Sequence, residues 1–138
     1  MNRTALTGLL MILTAAAPPR AAAPIEGYWK NPIGSAIIAI APCGDALCGR
    51  VVWASERGRR EVAKHSSNIV GTTVLTSLRL ANHRWAGQLY IPDDNIRVSA
   101  KLQLLNDDAL KLTGCGLVGL ICRTQVWTRA DGPLASKD

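Results

Sequence analysis

The sequence predicts an all-β protein of about eight antiparallel strands. Apolar residues recur at every second position along most of the chain, which is typical of strands with one buried face. Turn residues divide these stretches at hairpin spacing, and twelve Gly and seven Pro with no Phe suit a turn-rich β protein. Apolar residues make up 48% of the 138 positions, which indicates one packed domain and excludes a disordered chain. Closing eight strands into a β-barrel removes exposed edges, and a sandwich of two sheets is the alternative.

Residues 1–23 have the order of a secretory signal peptide. A positive start at Met1-Asn2-Arg3 precedes an apolar stretch from Ala5 to Ala17, and small residues follow as far as Ala23. The apolar stretch is shorter than the roughly 20 residues that a membrane span needs, although an uncleaved anchor is the alternative. We therefore expect a domain of residues 24–130, located in the periplasm or secreted, and a flexible C-terminal tail of residues 131–138.

Four strand-like stretches fill the first half of this domain. The second and third are joined by a turn bounded by Cys43 and Cys48, and the charged segment Ser55–Asn68 leads to the fourth. We predict that this charged segment is a loop. The predicted strands are Gly27–Lys30, Ser35–Ala41, Cys48–Ala54 and Val70–Leu80.

The second half shows the clearest alternation. In the segment Asn95–Leu105 one face is apolar and the other carries polar side chains such as Arg97 and Lys101. Turns are predicted at Pro92–Asp94 and Asn106–Asp108, and a Gly-rich link at residues 114–119. The predicted strands are Arg84–Ile91, Asn95–Leu105, Ala109–Thr113 and Ile121–Arg129.

The four cysteines form two close pairs in the sequence. In an exported chain of this size they imply two disulfides, for which three connectivities are possible. Local pairing of Cys43 with Cys48 and of Cys115 with Cys122 closes short loops and clamps two hairpins, so we favour it. Metal binding by four thiols is the poorer alternative because an exported protein meets an oxidising compartment.

Several motifs together resemble one bacterial family. They are Gly27-Tyr28-Trp29, the run from Cys43 to Trp53, the segment from Gly87 to Asp94, and the ending from Arg123 to Arg129. This set resembles the exported family called domain of unknown function 2147. The resemblance implies a lipocalin-like β-barrel, secreted or periplasmic, with no established activity. The segment Ser55–Asn68 departs from the family because it lacks the family's Asp and its Asn-Pro pair.

Trp29 and Arg129 resemble the pair that closes lipocalin barrels. In that arrangement an indole on the first strand lies across the barrel floor and a guanidinium from the last strand stacks on it. A cation–π stack of this kind contributes roughly 0.5–2 kcal/mol. We predict a structural role for both residues.

The inward faces supply candidate ligand-binding residues. Apolar side chains on these faces line a cavity, or they fill a small core, since an eight-stranded barrel can be just wide enough for its own side chains. Trp127 shares a face with Arg123, Gln125 and Arg129, so we expect it to be exposed or at the rim. The candidate ligand-binding residues are Trp53, Trp85, Leu89, Ile96, Val98 and Ala100.

No catalytic or metal-binding pattern is present in the sequence. His65 and His83 have no ligand spacing, and the adjacent acids at the two Asp-Asp turns do not form an acid–base pair. We therefore expect neither an enzyme nor a bound cofactor or metal. The charged run from Glu56 to His65 is a solvated connector or, in a chain of net charge +6, a weak contact for the anionic cell envelope.

Two functions remain from different classes. One is a barrel that binds a small hydrophobic ligand without catalysis. The other is an interaction module with a filled core that binds a protein or the anionic envelope through its basic surface. Export argues against nucleic acid as a partner, and the sequence gives no oligomeric state. A cavity of roughly 300 Å³ or more inside the barrel would favour the first function.

Overall fold

The computed structural model describes residues 8–16, 21–63 and 68–134. Parts of the predicted signal peptide, the end of the charged run with His65, and the last four residues lie outside these ranges. The elements are β1 (Gly27–Lys30), β2 (Ala36–Cys43), β3 (Ala46–Ala54), α1 (Glu56–Val62), β4 (Thr73–Ala81), β5 (Arg84–Ile91), β6 (Ile96–Asn106), β7 (Ala109–Gly116) and β8 (Ile121–Ala130).

The eight strands form a closed antiparallel barrel in sequence order. Each strand pairs with its neighbours in the chain, and β1 pairs with β8 to close the ring, with Trp29 opposite Arg129. The predicted barrel is confirmed, and the sandwich alternative is wrong. Among the described residues, each strand of the barrel therefore has a hydrogen-bonded neighbour on both sides.

The antiparallel order defines two ends of the barrel. The turns β2–β3, β4–β5 and β6–β7 lie at one end, which we call the closed end. The β1–β2 loop, α1 and the turns β5–β6 and β7–β8 lie at the other, which we call the open end. Within the described ranges, no helix has both the length and the apolar composition needed to cross a membrane.

The strand boundaries follow the alternation closely. β1 and β5 have the predicted bounds, whereas β7 runs three residues further than predicted. The reason is that Gly114, Cys115 and Gly116 pair with Arg123, Cys122 and Ile121 of β8. The first half of the predicted Gly-rich link is therefore strand, since a partner strand holds glycines in an extended conformation that they do not favour alone.

A short helix replaces part of the predicted loop. Ser55 caps α1 because its Oγ accepts a hydrogen bond from the Gly58 N–H at 3.1 Å. Arg57 pairs with Glu61 and Arg60 pairs with Glu56, each pair four residues apart. The loop prediction for these residues is wrong because the alternating charges, interpreted as a solvated run, are spaced to form pairs along a helix.

Both disulfides have the local connectivity. Cys43 and Cys48 join β2 to β3 at the closed end, with Cα atoms 5.8 Å apart. Cys115 and Cys122 are opposite each other in β7 and β8 near the open end, with Cα atoms 4.1 Å apart. The favoured pairing is confirmed.

The core lies along the inside of the barrel. Trp29, Leu75, Leu78, Leu102 and Leu110 are all 0% exposed and belong to a single hydrophobic cluster. The same cluster reaches the open end, the upper part of the barrel, through Ala36, Val62 and Ile69.

Candidate functional site

A cavity of about 880 Å³ occupies the upper part of the barrel. It opens between the β1–β2 loop, α1 and the turns β5–β6 and β7–β8, because residues from all four segments line it. A hydrogen-bonded Asn31 holds the β1–β2 loop: its Oδ1 accepts from the Ser35 N–H at 2.8 Å and its Nδ2 donates to the Ser35 Oγ at 2.8 Å. This volume lies in the range of small-molecule sites, about 300–1,000 Å³.

The walls of the cavity are largely apolar. They come from the inward positions of consecutive strands, where every second side chain points to the barrel interior. The principal wall residues are Ile38, Val51, Val74, Leu89, Val98 and Leu112.

Trp127 contributes the aromatic part of the wall. It is 4% exposed, belongs to the core cluster and lines the cavity. Its position follows from the register, because it lies opposite the fully buried Leu110 of β7. The indole Nε1–H donates a hydrogen bond to the Gln125 Oε1 at 3.0 Å. The prediction of an exposed or rim position is wrong, since the polar neighbours of Trp127 in the sequence also line the cavity.

Three small residues lie side by side inside the barrel, and one of them borders the cavity. Gly87, Ala100 and Gly114 are register partners on β5, β6 and β7. A Cβ atom on Gly114 would lie 3.3 Å from both the Leu89 Cδ2 and the Val98 Cγ2, so any side chain there would enter the cavity. The glycines of β7 thus leave space that larger residues would fill.

Five of the six candidate ligand-binding residues separate into two groups. Leu89, Ile96 and Val98 line the cavity. Ala100 is buried in the core cluster and Trp85 packs against that cluster, so both lie among the residues below the cavity lining.

Trp53 lies on the other face of its strand. Ile37 pairs with Trp53 and Ile38 pairs with Val51, so a β-bulge leaves Val52 without a register partner. One extra residue reverses the alternation, and Trp53 shares the face of Ile37 rather than that of the cavity-lining Ile38. The inward position predicted for Trp53 is therefore wrong.

Charged side chains surround the mouth of the cavity. Arg97 stacks on the Tyr90 ring, with its Cζ 4.9 Å from the ring centroid, and the Tyr90 hydroxyl bonds the Asn95 Oδ1 at 2.9 Å. Arg123 lies opposite Gly114 on the inner face of β8. Among the residues that the structure describes, the Arg123 guanidinium has no hydrogen-bond or ion-pair partner. It is therefore available to an anionic group in the cavity.

The closed end is sealed by the predicted Trp29–Arg129 pair. The Arg129 Cζ lies 4.2 Å from the centroid of the Trp29 ring, and Arg129 donates hydrogen bonds to the carbonyl oxygens of Pro24, Glu26 and Asp107. Gly27 has a φ of +124°, and a Cβ there would lie 2.9 Å from the Arg129 Nη1. The glycine of the Gly27-Tyr28-Trp29 motif thus makes room for the guanidinium.

In the described part of the chain, no group of three or more His, Cys, Asp or Glu side chains is placed to hold a metal ion. One carboxyl has a clearly shifted pKa: a hydrogen bond from Arg79, together with its positive charge, lowers the pKa of Asp45. This pair lies at the closed end, away from the cavity.

Comparisons with known proteins agree with this geometry. The model of a family described as "Uncharacterized protein conserved in bacteria (DUF2147)" matches residues 27–129. One solved structure is described as "Protein HP1028 from the human pathogen Helicobacter pylori belongs to the lipocalin family". It is 14% identical to this chain with a TM-score of 0.58, covering 78% of this chain and 83% of that one, and so shares the fold. No curated protein sequence matches. Because the family match spans the whole barrel, this chain is a member of the DUF2147 family with a lipocalin-like fold.

Proposed function

We propose that this protein binds a small apolar molecule inside its barrel and carries it without chemical change. The observation that supports this most directly is the cavity of about 880 Å³, open at one end and walled by aliphatic side chains and the Trp127 indole. Such walls offer contact area to an apolar guest, and each buried CH₂ group of that guest contributes about 0.8 kcal/mol.

The alternative of an interaction module needs a filled core and a basic surface. The cavity exceeds the roughly 300 Å³ that distinguishes the two functions, which favours the carrier. The basic residues of α1 also support the module less than the sequence suggested. Two of its three arginines, Arg57 and Arg60, form ion pairs with glutamates of the same helix. The free positive charge of this segment is therefore smaller than its arginines imply.

We also propose that the protein is exported. The signal-peptide order of residues 1–23 supports this, and so do the two disulfides, which persist in oxidising compartments. N-terminal sequencing of protein from the periplasm or medium is expected to give a start between residues 17 and 25. An intact Met1 on exported protein would contradict cleavage.

Titration with a neutral apolar fluorophore, N-phenyl-1-naphthylamine, tests the carrier function. We expect saturable binding, with enhanced probe emission and quenched emission from Trp127. The Trp127→Phe variant separates these signals, because it should remove most of the quenching while the probe still binds.

A pair of variants on β6 then locates the site. Val98→Trp places an indole in the cavity, so we expect it to weaken binding of the probe at least about tenfold by filling the space. Ser99→Trp is the matched control, since Ser99 is exposed and lies on the opposite face of the same strand. Equal binding by the two variants would show that the probe does not enter the barrel.

A further inference from the structure

The β7–β8 turn carries exposed aliphatic side chains beside the cavity mouth. We propose that this turn inserts into the surface of a lipid bilayer that contains anionic headgroups, and so docks the open end of the barrel on the membrane. We call Leu117, Val118, Leu120 and Ile121 the aliphatic tip. Their exposures are 67%, 105%, 84% and 53%, so these side chains contribute little to the core. Leu117 and Ile121 also line the cavity, whereas Val118 and Leu120 do not.

The conformation of the turn gives a second reason to look for a role outside folding. Leu117 and Val118 have φ values of +48° and +56°, in a region that favours Gly and Asn and disfavours a β-branched residue. Aliphatic residues at these positions stabilise neither the turn nor the core. An apolar surface that folding does not explain is typical of a binding site.

Two backbone amides of the turn already have hydrogen-bond partners. The Gly119 N–H donates to the Gly116 carbonyl at 3.1 Å, and the Leu120 N–H donates to the Leu117 carbonyl at 3.2 Å. Amides that already have partners avoid the penalty for an unpaired N–H in lipid. The disulfide Cys115–Cys122 links the two strands at the base of the turn. Because the turn is already constrained, insertion into a bilayer should cost the tip less conformational entropy.

The shape and surroundings of the tip favour a bilayer over a protein partner. Val118 is 105% exposed and thus protrudes, whereas a specific protein interface buries about 800 Å² on each side. Two further exposed aliphatic residues, Ile33 in the β1–β2 loop and Ile96 at the start of β6, lie at the same end of the barrel. Several protruding apolar side chains at one end can enter the interfacial region together.

Charge near the tip supports an anionic surface. Residues 114–122 contain no acid, and Arg123 follows them on β8. Its long side chain can keep its guanidinium among headgroups while the tip is buried. Because Asp93 and Asp94 also lie at the open end, we expect apolar burial to contribute more than charge.

Sedimentation with lipid vesicles tests this docking. Exported protein with a sequenced N terminus is mixed with vesicles of phosphatidylcholine alone or with one-third phosphatidylglycerol. We expect binding to both, tighter by about two- to fivefold with phosphatidylglycerol in low salt. If the protein binds neither kind of vesicle, the proposal is wrong. If it binds both equally, the preference for anionic headgroups is wrong.

The decisive comparison uses two variants with the same charge change. Val118→Asp/Leu120→Asp alters the tip, and Leu80→Asp/Leu105→Asp alters exposed aliphatic residues, 61% and 50% exposed, on strand ends near the closed end. We expect the first variant to lose at least about tenfold in vesicle partition and the second to change less than twofold. An equal loss in both would overturn the proposal.

The same variants separate docking from ligand binding. Circular dichroism confirms that each variant is folded, and N-phenyl-1-naphthylamine titration without vesicles measures the cavity. We expect the tip variant to bind this probe like the parent. Loss of vesicle binding with normal probe binding supports docking, whereas a failed carrier function would appear as absent probe binding in both proteins.

Discussion

The contact between Trp29 and Arg129 makes a quantitative prediction about the closed end of the barrel. Trp29 is 0% exposed and its Nε1–H donates to the Ile25 carbonyl at 2.8 Å. Truncating Trp29 to Ala removes a fully buried indole and leaves a cavity, which we expect to lower the free energy of unfolding by about 3–5 kcal/mol.

The Arg129 change is expected to be smaller. Arg129→Ala removes three hydrogen bonds from a charged donor to backbone carbonyls, but water can reach part of this site and replace some of them. We expect a loss of about 2 kcal/mol. The stack of the guanidinium on the indole, at 4.2 Å from the ring centroid, should appear as a coupling of about 0.5–2 kcal/mol between the two changes.

Urea unfolding of the parent, both single variants and the double variant gives this coupling as a double-mutant cycle. The midpoint should be followed by far-ultraviolet circular dichroism, because removing Trp29 changes the fluorescence baseline. A second cycle between Trp29 and Arg79 is the control, since Arg79 pairs with Asp45 on the surface of the same end. Additive effects within about 0.5 kcal/mol for Trp29 and Arg129 would mean that the stack does not contribute.

Three other predictions concern the mouth, the turn and the surface. Arg123→Gln should weaken binding of a long-chain fatty acid about three- to tenfold and leave the corresponding alcohol unchanged, measured by displacement of N-phenyl-1-naphthylamine; equal effects on both would contradict a role for the guanidinium. Cys115→Ser/Cys122→Ser should lower the free energy of unfolding by about 2 kcal/mol because the unfolded chain loses an eight-residue loop constraint, and an unchanged urea midpoint would contradict this. Arg79 lowers the pKa of Asp45 in the folded protein below its ordinary 3.8, so their pair should stabilise the fold above that pH and lose its effect as the pH falls. In urea titrations at successive pH values, Arg79→Met should therefore reduce the fall in the free energy of unfolding at low pH.

Local patterns in the sequence were sufficient for much of the fold. The alternation of β5 and β6 and their turn residues depend on neighbouring positions, so the sequence alone predicts them. The two disulfides were predictable for the same reason, since each joins cysteines in one hairpin. The helix α1 was missed although its signals, an N-cap at Ser55 and pairs four residues apart, are present in the sequence.

The candidate site depended more on tertiary structure. Alternation with residues on the same face predicts an inward Trp53 and an exposed or rim Trp127, and both predictions are wrong. For Trp53, the bulge at Val52 inserts one extra residue, so the side chains after it alternate in the opposite sense. No pattern in the neighbouring sequence indicates this bulge. For Trp127, the polar residues on the same face suggested an outward face. Arg123 and Gln125 instead line the cavity, so this face of β8 points into the barrel.

The sequence by itself predicted most of the strands and favoured the local disulfides, since these depend on short-range alternation and spacing. The pair that seals the closed end was implied by the resemblance of Trp29 and Arg129 to the closure of lipocalin barrels. Only the tertiary structure decided which side chains meet inside the barrel and how much space they leave. The row formed by Gly87, Ala100 and Gly114 exists only when three strands pair in one register. The cavity is the volume that the side chains on the inner faces of eight strands leave unfilled. A one-residue shift in any strand would exchange its inward residues for its outward ones, so the cavity depends on the register of every strand.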